Sequence, residues 1–334
     1  SHVVEIDDLT SEGSGVGRLP DGRAVFVPRT VPGERVVVRL VREKKRWANG
    51  EAVEILVESP DRREPRCPLH DRCGGCQLQH IDHAAQVEWK ARRIRETLSR
   101  IGGLDSGPVE VAPARPAFGY RNRVSFTLKR LRGGRVVAGF HDRERPAHIV
   151  EVRGECFLPE RGILPVWMAL RAAWGDSAHR LPPGRELRLT LRRVDEGVVL
   201  VIEGGQTGNH DVREAEGLVG EIEDMLAVWH HPDEAPRPLL LAGARTVDDA
   251  WFGETLELES SAFLQVNRAG AEAVHAHVVA EVGEPEGRRF VDAYAGVGAY
   301  GRRLAREGGR VVAIESEASA ARVARRTAPE GLRV

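Results

Sequence analysis

The chain has 334 residues, of which 41% are hydrophobic and 30% charged, and its formal net charge at pH 7 is -1. This length exceeds what one hydrophobic core usually organises, so we expect two or three domains. A near-zero net charge excludes a uniformly basic nucleic-acid binder but leaves room for local basic faces. No apolar run approaches a membrane span and no export-signal pattern is visible, so we expect a cytoplasmic protein without membrane contact.

Short alternating segments in residues 1–59 predict a small antiparallel β-barrel, with the strands VVEIDDL, AVFVP, ERVVVRLV and GEAVEILVES separated by Gly, Pro and Asp. The third strand leads into a cluster of cations around one aromatic residue: Arg39, Arg42, Lys44, Lys45, Arg46 and Trp47. Bases stack on aromatic rings while cations hold phosphates, so this cluster indicates a single-stranded RNA surface. A solvated hairpin tip is an equally acceptable interpretation of the same residues.

Three of the four cysteines lie within one short stretch, CPLHDRCGGCQLQH, residues 67–80. The spacing is C-x5-C-x2-C followed by a distant fourth residue, which gives the set Cys67, Cys73, Cys76 and Cys156. Four thiolates suit an iron-sulfur cluster, because each iron of a four-iron cluster takes one thiolate and the ligands can be far apart in sequence. A zinc site that combines the first three thiols with His70 or His80 is the alternative.

The middle of the chain begins with an amphipathic helix, predicted from about residue 86 to residue 102. Residues 109–259 are then dominated by strands, with two hairpins, RNRVSFTLKRL–RVVAGFH and ELRLTLRRV–GVVLVIEGG, and one helix near ILPVWMALRAAWG. The first hairpin is strongly basic, so an RNA backbone is one interpretation and a solvated strand face the other. The candidate RNA contacts there are Arg121, Arg123 and Lys129.

After residue 262 helices and strands alternate, which predicts a parallel α/β sheet. The turn VDAYAGVGAYG contains Gly296, Gly298 and Gly301 in the spacing G-x-G-x-x-G, and Glu315 ends the next strand. Asp292 interrupts the apolar strand four residues before the first glycine. That form favours S-adenosylmethionine. The Glu315 carboxylate can accept hydrogen bonds from the two ribose hydroxyls of this cofactor. NAD binding by a redox protein and a purely structural turn remain the alternatives.

Taken in order, these motifs resemble the RNA uracil-C5 methyltransferases that carry a TRAM domain and an iron-sulfur cluster, especially those acting on 23S ribosomal RNA. The barrel, the cysteine spacing, YRNRVSF, FLQVN, DAYAGVG and VVAIES all contribute to the resemblance. It implies a TRAM barrel at 1–59, a central iron-sulfur and RNA-contacting domain at 60–85 and 110–260, and a Rossmann-like methyltransferase domain at 86–109 and 261–334. It also implies a [4Fe-4S] cluster on the four cysteines, and an S-adenosylmethionine site that includes Gln265, Tyr294, Glu315, Asp292, Gly296 and Gly298.

The resemblance also sets expectations about activity. The reaction in this family needs a cysteine thiolate that adds to C6 of uracil and a carboxylate base that removes the C5 proton. If all four cysteines hold a cluster, none remains as the nucleophile, so we expect the chain to lack its catalytic end and to be inactive alone. We expect a monomer that binds RNA, with ribosomal RNA favoured over transfer RNA. A transfer-RNA uracil-C5 methyltransferase and a non-catalytic RNA-binding module are the alternatives.

Overall fold

The computed structural model describes residues 1–208, 211–259 and 264–334, which form two compact units. The first unit contains residues 1–113 together with 142–145. The second contains residues 114–141 and 146–334. The predicted boundary between residues 260 and 261, and the first residue of the FLQVN motif, lie outside the described residues.

The first unit begins with a closed barrel in which the strands are ordered β1-β2-β3-β5-β4. Its strands are β1 (His2–Leu9), β2 (Gly15–Arg18), β3 (Ala24–Val27), β4 (Arg35–Glu43) and β5 (Trp47–Val57). Alternate residues point inward, as the period of two in the sequence requires, and Val25, Val36 and Val38 are fully buried in the core. The predicted barrel is therefore confirmed, but it is not wholly antiparallel, because β3 and β5 pair in parallel.

Strand β2 lies in a glycine-rich segment for which the sequence predicts only turns. A Cβ atom on Gly15 would lie 2.0 Å from Thr30 Oγ1, and one on Gly17 would lie 2.4 Å from the carbonyl oxygen of Glu5. Glycine is needed here because the neighbouring segments approach the strand too closely for any side chain. The strand has no apolar alternation for that reason, and sequence pattern could not predict it.

The predicted amphipathic helix is confirmed as α1 (His83–Arg100). It starts at Asp82, whose carboxylate accepts a hydrogen bond from the Ala84 N–H at 2.9 Å, as expected of an N-cap. Trp89 is its buried residue, and this side chain packs with Leu9, Val31 and Ile81 in the first unit. The helix is therefore attached to the segment that carries the cysteines and to the barrel.

The second unit begins with a seven-stranded sheet in the order β12-β11-β10-β9-β6-β7-β8. The strands are β6 (Arg123–Arg130), β7 (Val136–His141), β8 (Ile149–Glu151), β9 (Glu186–Val194), β10 (Gly197–Glu203), β11 (Met225–His231) and β12 (Leu239–Gly243). Both predicted hairpins are confirmed as β6–β7 and β9–β10, and the predicted helix is α2 (Ile163–Ala173). A further helix, α3 (Asp211–Glu221), connects the parallel strands β10 and β11 and was not predicted.

The rest of the second unit confirms the predicted alternation of helices and strands. A hairpin, β13 (Thr246–Trp251) and β14 (Glu254–Glu259), precedes α4 (Arg268–Val282). A parallel sheet follows, formed by β15 (Arg289–Ala293), β16 (Arg310–Ile314) and β17 (Leu332–Arg333), with helices α5 (Ala299–Arg306) and α6 (Ala318–Arg326). The sequence predicted only the first two of these strands, because the third is two residues long.

One hydrophobic core joins the parts of the second unit. It contains Val199 and Trp229 from the seven-stranded sheet, Trp251 from the hairpin, Val297 from the glycine-rich turn and Val323 from α6. The turn is thus fixed to the same core as the sheet. Among the helices that the structure describes, none is both long enough and apolar enough to cross a membrane.

Candidate functional site

A cleft of about 570 Å³ opens beside the glycine-rich turn of the second unit. Four pieces of chain line it: the end of the β13–β14 hairpin, residues 264–267, the first turns of α4, and residues 292–300. Four of the predicted cofactor residues are in this lining: Gln265, Asp292, Tyr294 and Gly296. A volume of this size falls in the range of small-molecule sites.

The turn between β15 and α5 has a left-handed backbone at three positions. The φ angles are 62° at Tyr294, 56° at Gly296 and 79° at Gly298, which is the N-cap of α5. Glycine adopts such angles without strain, whereas a tyrosine rarely does. The Tyr294 side chain is 94% exposed, so this strained position directs an aromatic ring away from the protein core.

Two carboxylates hold the turn through its backbone. Glu315 Oε2 accepts the Gly296 N–H at 2.7 Å, and its Oε1 accepts the Glu317 N–H at 2.7 Å. Asp292 Oδ2 accepts the Gly301 N–H at 3.0 Å. Burial raises the pKa of Asp292 above its usual value, although the hydrogen bond from Gly301 opposes this shift. The carboxylates that the sequence singled out therefore shape the turn. Asp292 also lines the cleft, whereas the predicted residues Glu315 and Gly298 are not among its described lining residues.

An aromatic wall of the cleft was not predicted from the sequence. The rings of Phe252 and His275 are 4.4 Å apart, and those of His275 and Tyr300 are 4.9 Å apart, both pairs tilted by about 30°. Phe252 and Tyr300 line the cleft. Burial lowers the pKa of His275, and the Ala299 carbonyl, 3.4 Å from its Nε2, opposes the shift. The three rings come from separate segments, so no local pattern could reveal them.

The predicted metal ligands lie in both units. Cys67, Cys73 and Cys76 belong to the first unit, Cys156 is buried in the second, and all four are present as thiols. Burial raises the pKa of the Cys73 thiol, the neighbouring Cys76 and Cys67 raise it further, and the Gly75 N–H, which donates to its Sγ at 3.4 Å, opposes this. The sulfur donors suit a cluster chemically. However, the described ranges contain no group of three or more His, Cys, Asp or Glu side chains placed to hold a metal ion.

The loop formed by residues 67–80, here called the cysteine loop, is held by distant parts of the first unit. Arg143 donates hydrogen bonds to the carbonyl oxygens of Cys76 and His70, the latter at 3.3 Å. His70 Nε2 lies 3.3 Å from His80 Nδ1, and His80 Nε2 lies 3.4 Å from the Thr30 carbonyl oxygen. Burial lowers the pKa of both histidines to about 4. These imidazoles therefore connect the loop to the barrel.

The two groups of predicted RNA residues have different environments. At the β4–β5 tip, Lys44, Lys45 and Arg46 are exposed, and no ion pair is found for them within the described chain. The Arg42 guanidinium lies 5.9 Å from the centre of the Trp47 ring, and Arg39 pairs with Glu51 at 2.6 Å. This tip presents cations around an aromatic ring, as the sequence suggested.

The second group, on and beside β6, is less accessible. Lys129 pairs with Glu186 at 3.2 Å and donates to the Ala147 carbonyl at 3.1 Å. Arg121 and Arg123 are half-buried, and burial lowers the pKa of Arg123. The side chains of this group are thus partly committed to contacts within the protein.

The chain is similar to known proteins over nearly its whole length. Residues 3–53 match the model of the TRAM domain, in agreement with the observed barrel. An uncharacterized RNA methyltransferase of Gloeobacter violaceus is 32% identical, over 98% of this chain and 74% of its own length. The 23S rRNA (uracil(1939)-C(5))-methyltransferase RlmD of Thiobacillus denitrificans is 30% identical, over 94% of this chain and 72% of its own length.

The fold is also found in a solved structure. The tRNA (uracil-54, C5)-methyltransferase of Pyrococcus abyssi, in complex with S-adenosyl-L-homocysteine, superposes with a TM-score of 0.71 at 24% identity, over 100% of this chain and 79% of that one. None of these comparisons supports the expectation that the chain is inactive, and none bears on an iron-sulfur cluster.

Proposed function

This chain belongs to the RNA methyltransferase family, and we propose that it transfers a methyl group from S-adenosylmethionine to C5 of a uridine in 23S ribosomal RNA. The observation that carries the proposal is the cleft beside the glycine-rich turn, where the carboxylates of Asp292 and Glu315 hold two backbone N–H groups. Such a turn lets a ligand approach the backbone closely, and carboxylates can accept hydroxyl hydrogen bonds from a ribose.

Besides Asp292, which holds the turn, the candidate cofactor residues have three tasks in this proposal. Glu315 accepts hydrogen bonds from the ribose, since a carboxylate at the end of the second parallel strand faces the ligand crevice. Gln265 and Tyr294 contact the cofactor from two separate segments that line the cleft. Gly296 and Gly298 permit the left-handed turn. When bound, S-adenosylmethionine supplies an electrophilic methyl group on a sulfonium sulfur.

Uracil C5 needs activation before it can accept that methyl group. A thiolate adds to C6 of the ring, which makes C5 nucleophilic, and C5 then takes the methyl group. A base removes the C5 proton and the thiolate leaves, so the net change is replacement of hydrogen by methyl. We assign neither the thiolate nor the base to a residue of this chain.

The test begins with ligand binding. Isothermal titration calorimetry should show one S-adenosylhomocysteine site and no tight NAD site. RNA incubated with the protein and methyl-labelled S-adenosylmethionine should then be digested and searched for 5-methyluridine by mass spectrometry. Binding of RNA without S-adenosylhomocysteine would favour a non-catalytic RNA-binding module. Tight NAD binding without S-adenosylhomocysteine would favour a redox protein.

The choice of ribosomal RNA rests on the relatives. The RlmD relative is named for 23S rRNA, whereas the structural neighbour is named for tRNA and is too distant in sequence to support more than the fold. The discriminating experiment is competition between fragments of 23S rRNA and unmodified tRNA transcripts. Preferential binding or methylation of tRNA would reverse this part of the proposal and favour the tRNA alternative.

We propose two RNA-contacting surfaces, the β4–β5 tip (Arg39, Arg42, Lys44, Lys45, Arg46 and Trp47) and the β6 group (Arg121, Arg123 and Lys129). The tip is the stronger candidate, because its lysines are exposed. For a single-stranded RNA, each cation that neutralises a phosphate contributes about 0.7 to the slope of log K against log salt concentration. Replacing Lys44, Lys45 and Arg46 by Gln should therefore reduce the slope by about 2. An unchanged slope would remove the tip from the interface.

We also propose, on the sequence pattern, that Cys67, Cys73, Cys76 and Cys156 bind a [4Fe-4S] cluster. Protein purified without oxygen should be brown and contain iron and sulfide. Cys76→Ser should lower the iron content, while Arg145→Ala, which changes an exposed side chain of the segment beside the cysteine loop, should leave it unchanged. Colourless protein that contains stoichiometric zinc would contradict the cluster and support the zinc alternative.

The domain division stays part of the proposal: a TRAM barrel at 1–59, a central domain at 60–85 and 110–260, and a methyltransferase domain at 86–109 and 261–334. Limited proteolysis followed by mass spectrometry should cut near residues 59–60 and 109–110, where the proposed boundaries lie outside the helices and strands. A monomeric state is proposed as well, and light scattering coupled to size exclusion measures it directly.

A further inference from the structure

Residues 264–267, which include Gln265, line the cleft and lead directly into α4. They belong to no named strand or helix. A segment with no strand or helix of its own needs partners from elsewhere to keep one conformation. The position of Gln265 therefore depends on the groups that bond to its main chain and to the residues that follow it.

Asn122 supplies the first set of these bonds. Its side-chain Nδ2 donates to the Gln265 carbonyl at 3.0 Å, and its backbone N–H donates to the Val266 carbonyl at 2.9 Å. Its own carbonyl accepts the Arg193 N–H, from β9, at 2.7 Å. The residue is only 2% exposed. Asn122 thus connects the seven-stranded sheet to the two residues at the cleft, with little freedom to move.

Arg268 holds the same segment from its other end. The guanidinium forms an ion pair with Asp249 at 2.7 Å, and it lies 4.8 Å from the centre of the Trp251 ring, which lines the cleft. Asp249 is fully buried and also accepts the Trp251 indole N–H at 2.7 Å. The Arg268 side chain further donates to the Arg193 carbonyl at 3.1 Å. Residues 265–268 are therefore fixed on both sides.

We infer that Asn122 is a positioning residue for the cofactor cleft: its side-chain amide sets the backbone of Gln265. This inference rests on the proposed function and deepens it. Asn122 lies between Arg121 and Arg123, both proposed to contact RNA, so the same short stretch connects the RNA-facing hairpin to the cofactor segment. Asn122 does not itself line the cleft in the described residues, so its effect reaches the ligand through Gln265.

The test compares S-adenosylhomocysteine affinity in the wild type, Asn122→Asp and Asn122→Ala. Asp has the shape of Asn but offers a carboxylate where a donor is needed, and Ala removes the bond without adding charge. Loss of one buried hydrogen bond to the positioned backbone should weaken binding about tenfold for Ala, and more for Asp. Hydrogen exchange at the backbone amides of 264–268 should become faster in both variants.

Arg130→Ala is the matched control, because Arg130 is in the same stretch of chain and also fixes a loop. It donates to the main-chain carbonyls of Ser177, Ala178, Leu181, Pro182 and Gly184. This variant should lower the melting temperature while the S-adenosylhomocysteine affinity stays within twofold. Comparing the variants at similar melting temperature separates positioning from general loss of stability.

The outcomes distinguish the two proposals. If the wild type does not bind S-adenosylhomocysteine, the proposed function fails and this inference fails with it. If the wild type binds and both Asn122 variants bind within twofold of it, only the inference is overturned. The inference is also overturned if Arg130→Ala, at a similar loss of melting temperature, loses as much S-adenosylhomocysteine affinity as the Asn122 variants do. Failure of both Asn122 variants to fold would also overturn it, since Asn122 would then be a residue of the core.

Discussion

The glycine-rich turn and the cysteine loop are both short loops that contain glycine and carry candidate ligands, but they are held in different ways. In the glycine-rich turn the bonds come from the same strand-helix-strand unit: Glu315 reaches Gly296 across 19 residues, and Asp292 reaches Gly301 across 9. In the cysteine loop, Arg143 reaches Cys76 across 67 residues, and His80 reaches Thr30 across 50.

The shape of a loop can be predicted from sequence when the loop's partners lie nearby in the chain. A turn whose bonds are made within one supersecondary unit has the same shape wherever that unit forms. A loop that depends on partners from distant segments takes its shape only after the unit around it has folded. Substitutions should therefore act on ligand binding in the first case and on local stability in the second.

The largest expected effect is at the glycine-rich turn. Glu315→Ala removes the carboxylate that accepts two backbone N–H groups and, in the proposal, the ribose hydroxyls. Hydrogen bonds to a charged group contribute about 1.5–3 kcal/mol each, so S-adenosylhomocysteine affinity should fall about a hundredfold. Titration calorimetry measures the change.

Glu307→Ala is the control for that variant, since Glu307 follows α5 and pairs with Arg303 at 2.6 Å on the surface. Surface ion pairs of this kind contribute little, so its affinity should stay within about twofold of the wild type. Wild-type affinity in Glu315→Ala would show that the local bonds of the turn do not form the ligand site.

A smaller effect is expected at the cysteine loop. Arg143→Ala removes the donor to the carbonyls of Cys76 and His70, so the free energy for opening the loop should fall by about 1–3 kcal/mol. Hydrogen exchange at the amides of residues 69–76 measures this energy directly. S-adenosylhomocysteine affinity should not change if the two loops are held independently.

The neighbouring Arg145→Ala provides the comparison, because this exposed side chain belongs to the same four-residue segment, 142–145. Its effect should be within about 0.5 kcal/mol, as for most surface substitutions. Equal effects of the Arg143 and Arg145 substitutions would mean that the long-range bonds do not hold the cysteine loop.

The smallest expected effect is on the pH dependence of stability, through His275 in the aromatic wall of the cleft. Because burial lowers the pKa of His275 in the folded chain, the unfolded chain takes up a proton first as pH falls. Its contribution to stability is complete above the ordinary value of 6.5 and is lost as pH falls below it.

His275→Phe should reduce this pH dependence, since a phenyl ring can stay between Phe252 and Tyr300 but cannot be protonated. Thermal unfolding at pH 7.5 and at pH 5 measures the difference between the variant and the wild type. An identical loss of melting temperature in both proteins would exclude His275 as a source of acid sensitivity.

Much of the architecture follows from local pattern. Alternating valines specify the barrel strands, and the switch to helix-strand alternation after residue 262 specifies the parallel sheet. The glycine spacing places the turn, and its carboxylates lie where the motif requires them. These features were predictable because burial of one face and the backbone angles of glycine act over a few residues.

Other features depended on the folded chain. Gly15 and Gly17 lie in a strand where Thr30 and Glu5 approach too closely for a side chain. This strand therefore has no apolar alternation from which it could be predicted. The rings of Phe252, His275 and Tyr300 meet only after three segments have packed together. In each case the deciding contact joins groups that are distant in sequence, so periodicity carries no signal for it.

Asn122 and Asp292 illustrate the difference between contacts that local sequence predicts and contacts that only the folded chain creates. The sequence singles out Asp292 because it interrupts an apolar strand four residues before Gly296, and its partner, Gly301, lies in the same motif. Asn122 instead donates to a carbonyl 143 residues away. A side-chain amide has no preferred partner until the fold brings one within hydrogen-bonding distance. Local pattern thus identified the turn, while long-range hydrogen bonds determined how the facing wall of the cleft is held.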